Sequence, residues 1–339
     1  MVSVAIYSAT MTDSYPVFAA SKPLGVARAR RENSAPVLTR QQREVLELCV
    51  ESGELVFRRN DRACSSIRPR LFPLLCAPTG SGKSMLVAKC AEILGAHYRR
   101  TQRGDLAPQG ASRIRASLFQ ILDLLVLHER VLWHIDELDK FTGDGVGMIP
   151  GNEWGASIFS DLWSALDGVF PINSYLALED RPRAKDPAIT CAFLESKVRS
   201  GLYIVGSGTW QELFARAAKP GIGFASRPGV TSSVVTAADI RRSHLISPEL
   251  LARFSADFLI LGYPDHHEIT SLLTTSGIAS LARDVGYVIT DEDVDFRSGG
   301  YRVLETLLSR LLVLQHRRGR LSLKARRGAA ISSETKIES

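Results

Sequence analysis

Residues 71–95, LFPLLCAPTGSGKSMLVAKCAEILG, carry the strongest structural signal in the chain. A mostly apolar segment is followed by the Gly-rich octapeptide APTGSGKS at 77–84, and apolar residues at helical spacing then lead to Gly95. This order predicts a buried strand, a phosphate-binding loop and a helix that begins near Lys83, because glycines let backbone N–H groups close around phosphate oxygens at a helix N-terminus. The residues expected to bind nucleotide are Pro78, Thr79, Gly80, Ser81, Gly82, Lys83 and Ser84.

The side chains at the end of this loop indicate the ligand. In such a loop Lys83 reaches the β- and γ-phosphates of a nucleotide, and the Ser84 hydroxyl ligates magnesium. ATP and Mg2+ are therefore the expected cofactors. Ala77 stands where the strict motif has glycine, at a position where a methyl group need not face phosphate. The alternative is an ordinary Gly-rich turn, which the strand before the loop and the helix after it disfavour.

A second motif, VLWHIDE at residues 131–137, indicates hydrolysis. It predicts a short buried strand that ends in two carboxylates and follows an apolar helix at 118–125. Since parallel strands deliver their carboxyl ends to one crevice, Asp136 is expected beside the phosphate loop, where it holds the magnesium shell through water. Glu137 is the expected general base for the attacking water. His134 is expected to be a core histidine, and the alternative to the motif is an acidic strand-to-helix turn.

Three segments together resemble the AAA+ ATPases, and within them the ClpX and HslU protein unfoldases. They are APTGSGKS at 77–84, HIDELDK at 134–140 and HLISPELLARF at 244–254. The resemblance covers about residues 37–314. It implies an α/β P-loop NTPase with a parallel sheet flanked by helices, followed by a small, mostly helical lid domain. It also implies ATP hydrolysis by a homo-oligomer, expected to be a hexameric ring.

Further catalytic residues follow from this resemblance. Arg253, the last arginine of the third segment, corresponds to the finger that enters the neighbouring subunit's nucleotide site, where its planar, permanent charge neutralises the charge that grows during phosphoryl transfer. The strand predicted at 201–205 ends in Gly-Ser-Gly-Thr. The family places a polar sensor residue at this strand end, for which Ser207 is the candidate and Thr209 the alternative.

The two ends of the resemblance supply the remaining site residues. The segment that begins at Gly299 resembles the start of the family's lid helix, so Arg302 is expected to contact the phosphates from the small domain. Upstream, Val37 and Leu38 are expected to flank the adenine with their aliphatic faces. Thr39 is the expected N-cap of the following helix, and apolar residues at this place are alternatively a packing staple for that helix.

Composition agrees with a soluble two-domain chain. The 339 residues are 45% hydrophobic, which suffices for an α/β core and a smaller domain. The predicted division is a flexible N-terminal arm at 1–34, the nucleotide-binding domain at 35–261, the lid at 262–325 and a disordered tail at 326–339. The sequence has no apolar run of membrane-spanning length and no signal-peptide pattern, so a cytoplasmic location without membrane contact is expected. Five scattered cysteines suit a reducing compartment and no metal cluster.

The substrate is less well indicated than the nucleotide. Known unfoldases of this resemblance grip polypeptide with an aromatic loop, whereas the matching stretch here, at 108–112, has no aromatic residue. A second axial loop, 179–185, is rich in cations. The tripeptide Ile-Gly-Phe at 222–224 matches the one with which ClpX docks its peptidase, and a locally packed loop is the alternative.

Three functions therefore remain open. The first is an ATPase that remodels or unfolds a protein substrate, with a peptidase as a further candidate partner. The second is a nucleic-acid-associated motor or loader, since the formal charge is +6 and arginines cluster at 28–31 and 317–327. The third is a nucleotide-dependent scaffold or switch.

Overall fold

The computed structural model describes residues 37–58, 71–102, 105, 116–142, 162–179, 185–218, 235–255, 258–296 and 300–334. Side chains are described in these ranges except at 116, 141–142, 218 and 320–334. Several predicted features lie outside the described residues: the arm at 1–34, the loop at 108–112, residues 180–184 of the second loop, and the tripeptide at 222–224.

Within these ranges, five parallel β-strands form one sheet. They are β1 (Leu74–Cys76), β2 (His97–Thr101), β3 (Val131–Ile135), β4 (Leu202–Gly208) and β5 (Leu259–Ile260), in the spatial order β2-β3-β4-β1-β5. β4 thus lies between β1 and β3, pairing with both in parallel register. The phosphate loop follows β1 and the two carboxylates follow β3, so both motifs emerge at the carboxyl edge of the sheet.

Helices connect these strands, because neighbouring parallel strands need a long crossover connection. Among the described residues, the helices of the sheet domain include α1 (Arg40–Phe57), α2 (Lys83–Ile93), α3 (Ala116–Leu127), α4 (Asp139–Thr142), α5 (Ile172–Leu176), α6 (Cys191–Gly201), α7 (Gln211–Ala218), α8 (Ala237–Arg242) and α9 (Pro248–Leu251). Residues 162–166 are also helical. The N-cap predicted at Thr39 is confirmed, because its side chain accepts from the Gln42 backbone N–H in a capping box.

The core lies on both faces of this sheet. Every residue of β3 and β4 is buried, which explains why their sequences are nearly continuous apolar runs. The buried Trp133 donates from Nε1 to Thr101 Oγ1 at 2.8 Å, so its one polar atom is satisfied. Gly206 in β4 is required by packing, because a Cβ there would lie 2.6 Å from the Leu138 side chain and 2.7 Å from that of Phe254.

After β5 the chain is helical. The elements are α10 (His266–Thr275), α11 (Ile278–Asp284), a 3-10 turn (Glu292–Val294) and α12 (Arg302–Glu334). Their buried side chains form a second hydrophobic cluster, distinct from the one around the sheet, made by Ile278, Ala282, Val285, Leu307 and Leu311. No helix in the described part of the chain combines the length and apolar character needed to cross a bilayer.

The predicted fold class is confirmed: a parallel sheet is flanked by helices and followed by helical structure. The bounds differ in detail. The strand predicted before the phosphate loop begins only at Leu74, and the lid helix predicted from the segment that begins at Gly299 runs from Arg302 to Glu334. That helix therefore continues past residue 325, where the sequence suggested a disordered tail.

Candidate nucleotide-binding site

The phosphate loop joins β1 to α2 and is shaped by two glycines. Gly80 and Gly82 have φ angles of 76° and 87°, in the left-handed region that favours glycine. Gly82 is the N-cap of α2 and, having no side chain, provides no capping acceptor for the first amides of this helix. A helix N-terminus of this kind attracts anions, because its free N–H groups and the helix dipole both favour negative charge.

Lys83 is almost completely buried at the start of α2. Its ammonium group donates to the carbonyls of Ala77 and Pro78, each at 2.9 Å. Burial lowers the pKa of Lys83 to about 8, although the nearby carboxylates of Asp136 and Asp139 partly oppose this effect. A phosphate placed beside the ammonium would favour its charged form in the same way.

Ser81 supplies an independent indication of a ligand. Its hydroxyl is buried and makes no hydrogen bond within the described structure. A buried hydroxyl without a partner is costly, so an oxygen-rich ligand at this loop would satisfy it. The residues of the loop therefore fit a nucleotide phosphate.

The predicted magnesium residues meet at one point. Ser84 Oγ lies 3.1 Å from Asp136 Oδ2, and the Asp136 side chain is 5% exposed. A hydroxyl and a carboxylate are the oxygen ligands that Mg2+ takes in phosphate-transfer sites, usually together with water and substrate oxygens. These two side chains fit the metal.

Asp136 is held from both sides of its carboxylate. Oδ1 accepts from Ser207 Oγ at 2.5 Å and from the Glu137 backbone N–H at 2.9 Å. Oδ2 accepts from Arg100 Nε at 2.9 Å and from its terminal nitrogen at 2.6 Å. Burial by itself raises the pKa of Asp136, but the bonds from Ser207 and Arg100 and the proximity of His134 outweigh it, and the pKa is lowered. The carboxylate is therefore charged at neutral pH.

A chain of hydrogen bonds leads to Asp136 across three neighbouring strands. The Tyr98 hydroxyl lies 2.8 Å from His134 Nδ1, and His134 Nε2 lies 2.9 Å from Ser207 Oγ. Ser207 uses its only proton on the Asp136 carboxylate, so His134 Nε2 must donate to Ser207. The neutral imidazole then accepts at Nδ1 from Tyr98. Burial lowers the pKa of His134 to about 4, which keeps the ring neutral at pH 7.

This arrangement gives Ser207 and His134 clear positions. His134 is the buried core histidine that the sequence predicted. Ser207, the candidate sensor, is fully buried and bonded to Asp136. Thr209, its alternative, donates from its hydroxyl and its backbone N–H to Asp139.

Glu137 follows Asp136 in an unusual backbone conformation. Its φ angle is 60°, which is uncommon for a residue other than glycine and is typical of strained functional positions. Its carboxylate pairs with Lys140 at 2.6 Å and its side chain is one third exposed. Glu137 therefore turns away from the buried Asp136 carboxylate while its backbone N–H donates to it.

Arg253 is not brought to the phosphate loop of its own chain by any contact within the described structure. Its Nε pairs with Asp167 Oδ2 at 2.9 Å, and a terminal nitrogen donates to the Glu249 carbonyl at 2.8 Å. The guanidinium carbon also lies 5.1 Å from the centre of the Trp163 ring. These contacts hold the arginine in one orientation near the surface, with 23% of its side chain exposed.

Arg302 is exposed at the start of α12, but the two residues before it touch the phosphate loop directly. The Tyr301 backbone N–H donates to the Gly80 carbonyl at 2.7 Å. Gly300 packs so closely that a Cβ would collide with the Thr79 carbonyl oxygen and the Gly80 backbone. The sequence pointed to Arg302 and missed this contact, although a glycine beside an aromatic residue was a usable signal.

Two glutamines were also missed. Gln42 Nε2 donates to the Ser81 carbonyl at 3.0 Å, and Gln211 Oε1 accepts from the Thr79 backbone N–H at 3.0 Å. Of the two residues expected to flank adenine, Leu38 packs partly buried against the main core and Val37 is exposed. Glutamine carries no distinctive sequence pattern, so only the structure could reveal these two contacts.

The site defines the chain as a P-loop α/β nucleotide-binding protein. Residues 73–190 match the model of the ATPase family associated with various cellular activities, AAA. This match includes the phosphate loop and the Asp136–Glu137 motif, and it supports an ATPase of the AAA+ type. No curated protein has significant sequence similarity to the chain.

Proposed function

We propose that this protein is a ring-forming AAA+ ATPase that couples ATP hydrolysis to the remodelling or unfolding of a protein substrate. The observation that carries the proposal is the meeting of two distant motifs: Ser84 of the phosphate loop lies 3.1 Å from Asp136, and Glu137 follows directly. A phosphate-binding loop, an oxygen pair for a metal and a candidate base thus share one edge of the sheet. That combination supports hydrolysis in addition to binding.

Each side chain has a role in this proposal. Lys83 leaves the Ala77 and Pro78 carbonyls to pair with phosphate oxygens, for which its position at the helix start is suited. Ser84 and Asp136 hold Mg2+, which when bound supplies charge neutralisation at the phosphates. Glu137 accepts a proton from the attacking water, and to do so its carboxylate exchanges the Lys140 contact for the water.

The ring form of the proposal rests on Arg253. The Arg253 side chain is oriented by Asp167, Trp163 and the Glu249 carbonyl, and 23% of it remains exposed. A guanidinium already fixed in direction loses little conformational entropy when it meets a phosphate of a neighbouring subunit. A homo-oligomer, in the form of a hexameric ring, is therefore the proposed assembly. Its proposed location is the cytoplasm.

The protein substrate is supported by the resemblance of the three motifs to ClpX and HslU. The loops that would face such a substrate, and the tripeptide proposed for a peptidase, lie outside the described residues. The proposal therefore separates into a part that concerns ATP and a part that concerns the substrate, and each is tested by its own measurement.

The experiment is a measurement of ATP turnover by the purified protein alone, with an unfolded protein and with single-stranded DNA. We expect measurable basal turnover and stimulation by the unfolded protein. Stimulation by DNA alone, with a steep salt dependence, would replace the proposal by a nucleic-acid motor. Slow turnover that neither polymer stimulates would replace it by a switch. The Glu137→Gln variant is the control for contaminating ATPase.

A further inference from the structure

Arg100, the penultimate residue of β2, makes a contact that neither the motifs nor the proposed chemistry includes. Its Nε and one terminal nitrogen both donate to Asp136 Oδ2, at 2.9 and 2.6 Å. The same oxygen lies 3.1 Å from Ser84 Oγ. Three donors thus converge on the one oxygen that faces the phosphate loop.

The sheet register explains why this arginine reaches Asp136. Arg100 is paired with His134 across β2 and β3, and Asp136 follows His134 by two residues. Since side chains alternate along a strand, Arg100, His134 and Asp136 lie toward the same face. Arg99 lies toward the opposite face and donates to Gln120 at 2.7 Å.

The number of donors limits what else Oδ2 can bind. A carboxylate oxygen accepts about two hydrogen bonds through its lone pairs, and here three donor atoms are within hydrogen-bonding distance. A metal ion, or a water bound to it, therefore reaches this oxygen only if a donor leaves. Ser84 is itself an expected metal ligand, so the donor that must leave is Arg100.

The exposure of the two side chains permits Arg100 to be replaced by a metal ion at Asp136 Oδ2. The Asp136 side chain is 5% exposed, whereas the Arg100 side chain is 41% exposed. A buried carboxylate needs a compensating charge, which Arg100 supplies. Because its own side chain borders solvent, Arg100 can move into water once another cation takes over that role.

We propose that Arg100 is a built-in counter-ion of Asp136 that competes with Mg2+ for Oδ2 and so sets the Mg2+ concentration at which the site loads. This inference rests on the nucleotide site of the proposed function. It predicts that the site reaches half-saturation at a higher Mg2+ concentration when Arg100 is present than when the Arg100 contact is removed. It also predicts that nucleotide affinity without metal does not depend on Arg100.

The test is a titration of the full chain with MgCl2 in the presence of a fluorescent ADP analogue, comparing wild type with Arg100→Met. A hydrogen bond to a charged group contributes about 1.5–3 kcal/mol, so the Mg2+ concentration at half-saturation should fall about tenfold or more in the variant. In EDTA the two proteins should bind the analogue equally. Arg99→Met is the matched control on the same strand and should behave as wild type.

A second titration, with MgCl2 alone and thermal unfolding as the readout, separates this inference from the proposed function. If wild type binds no ADP analogue, the nucleotide assignment fails, but a lower Mg2+ midpoint in Arg100→Met still supports competition at Asp136. An unchanged or higher Mg2+ midpoint in Arg100→Met would overturn the inference. Weaker binding of the ADP analogue by the variant in EDTA would also overturn it, because Arg100 would then be a phosphate ligand. Should Arg100→Met not fold, Arg100→Gln must lower the midpoint in the same direction, or the inference is wrong.

Discussion

Replacing Ser207 by alanine should weaken the whole group of polar residues at the carboxyl end of β3. Ser207 is completely buried, and its hydroxyl both donates to Asp136 Oδ1 at 2.5 Å and receives the Nε2–H of His134 at 2.9 Å. Alanine removes the oxygen without changing the strand. The variant therefore leaves the His134 donor unpaired in a place that water does not reach, and removes one of the bonds that stabilise the Asp136 charge.

The size of the effect follows from these two bonds. A hydrogen bond to a charged group contributes about 1.5–3 kcal/mol, and an unsatisfied buried donor costs about 1–3 kcal/mol. We therefore expect the free energy of unfolding to fall by about 2–4 kcal/mol at pH 7, since the two contributions share one side chain and do not add fully. That is a large part of the stability of a typical domain.

The loss in the free energy of unfolding caused by Ser207→Ala should also depend on pH. The pKa of Asp136 is lowered in the folded chain, so the stabilisation from its contacts is present above its unfolded value of about 3.9 and is lost as the pH falls through the folded pKa. The difference between wild type and Ser207→Ala should therefore shrink below about pH 4.

Urea unfolding followed by circular dichroism measures both quantities. Ser200→Ala is the control, because Ser200 is a partly exposed serine whose hydroxyl, within the described structure, donates to the Ser196 carbonyl of its own helix. It should change the free energy of unfolding by less than about 0.5 kcal/mol. If Ser207→Ala is as stable as this control at pH 7, the assigned hydrogen-bond chain from Tyr98 through His134 and Ser207 to Asp136 is wrong.

Three further predictions concern Lys83 and Glu137, Arg253, and His134. Lys83→Ala should lose nucleotide binding, whereas Glu137→Gln should keep binding and lose turnover by on the order of a hundredfold. Nucleotide titration measures the first effect and phosphate release the second. Normal turnover in Glu137→Gln would show that Glu137 is not the base. Arg253→Ala should lower turnover by on the order of a hundredfold or more. Mixing this variant with Lys83→Ala should restore some turnover at interfaces between the two kinds of subunit. A monomeric mass at saturating ATP, without such restoration, would show that the proposed ring is wrong. The pKa of His134 is about 4 in the folded chain and about 6.5 in the unfolded chain. The neutral ring therefore contributes about 3 kcal/mol to the free energy of unfolding above pH 6.5, and this contribution is lost as the pH falls from 6.5 to 4. Urea unfolding should show this loss in wild type, and a His134→Gln variant that shows the same slope would contradict it.

The sequence predicted those parts of the fold that depend on local pattern. The octapeptide at 77–84 and the apolar run at 131–135 identified the two strand ends, because glycine spacing and continuous burial leave a clear signature. The parallel sheet was expected from the resemblance of the motifs to the AAA+ ATPases, and the structure confirms it. Strand lengths were less accurate, since Leu71 to Pro73 are apolar or buried without belonging to a ladder.

The polar partners of the site were beyond the reach of the sequence. Arg100, Gln42 and Gln211 contact the site from segments that are distant in the chain, and nothing in their local sequence marks them. Their positions depend on strand order and register, which are tertiary properties. For Arg253 the sequence motif indicated a function, but it could not predict the contacts with Asp167 and Trp163.

The contacts of the phosphate loop have a mechanical consequence for the helical part of the chain. The Ser81 carbonyl is bound by Gln42 of α1, and the Gly80 carbonyl is bound by the backbone N–H of Tyr301. Burial raises the pKa of Tyr301 to about 12, so its hydroxyl remains protonated. These two hydrogen bonds join the phosphate loop to α1 and to the residue that precedes α12. A loop conformation that changes the direction of the Gly80 carbonyl must break or move its bond to Tyr301, because Gly300 packs against the backbone of Thr79 and Gly80 too closely to absorb the change.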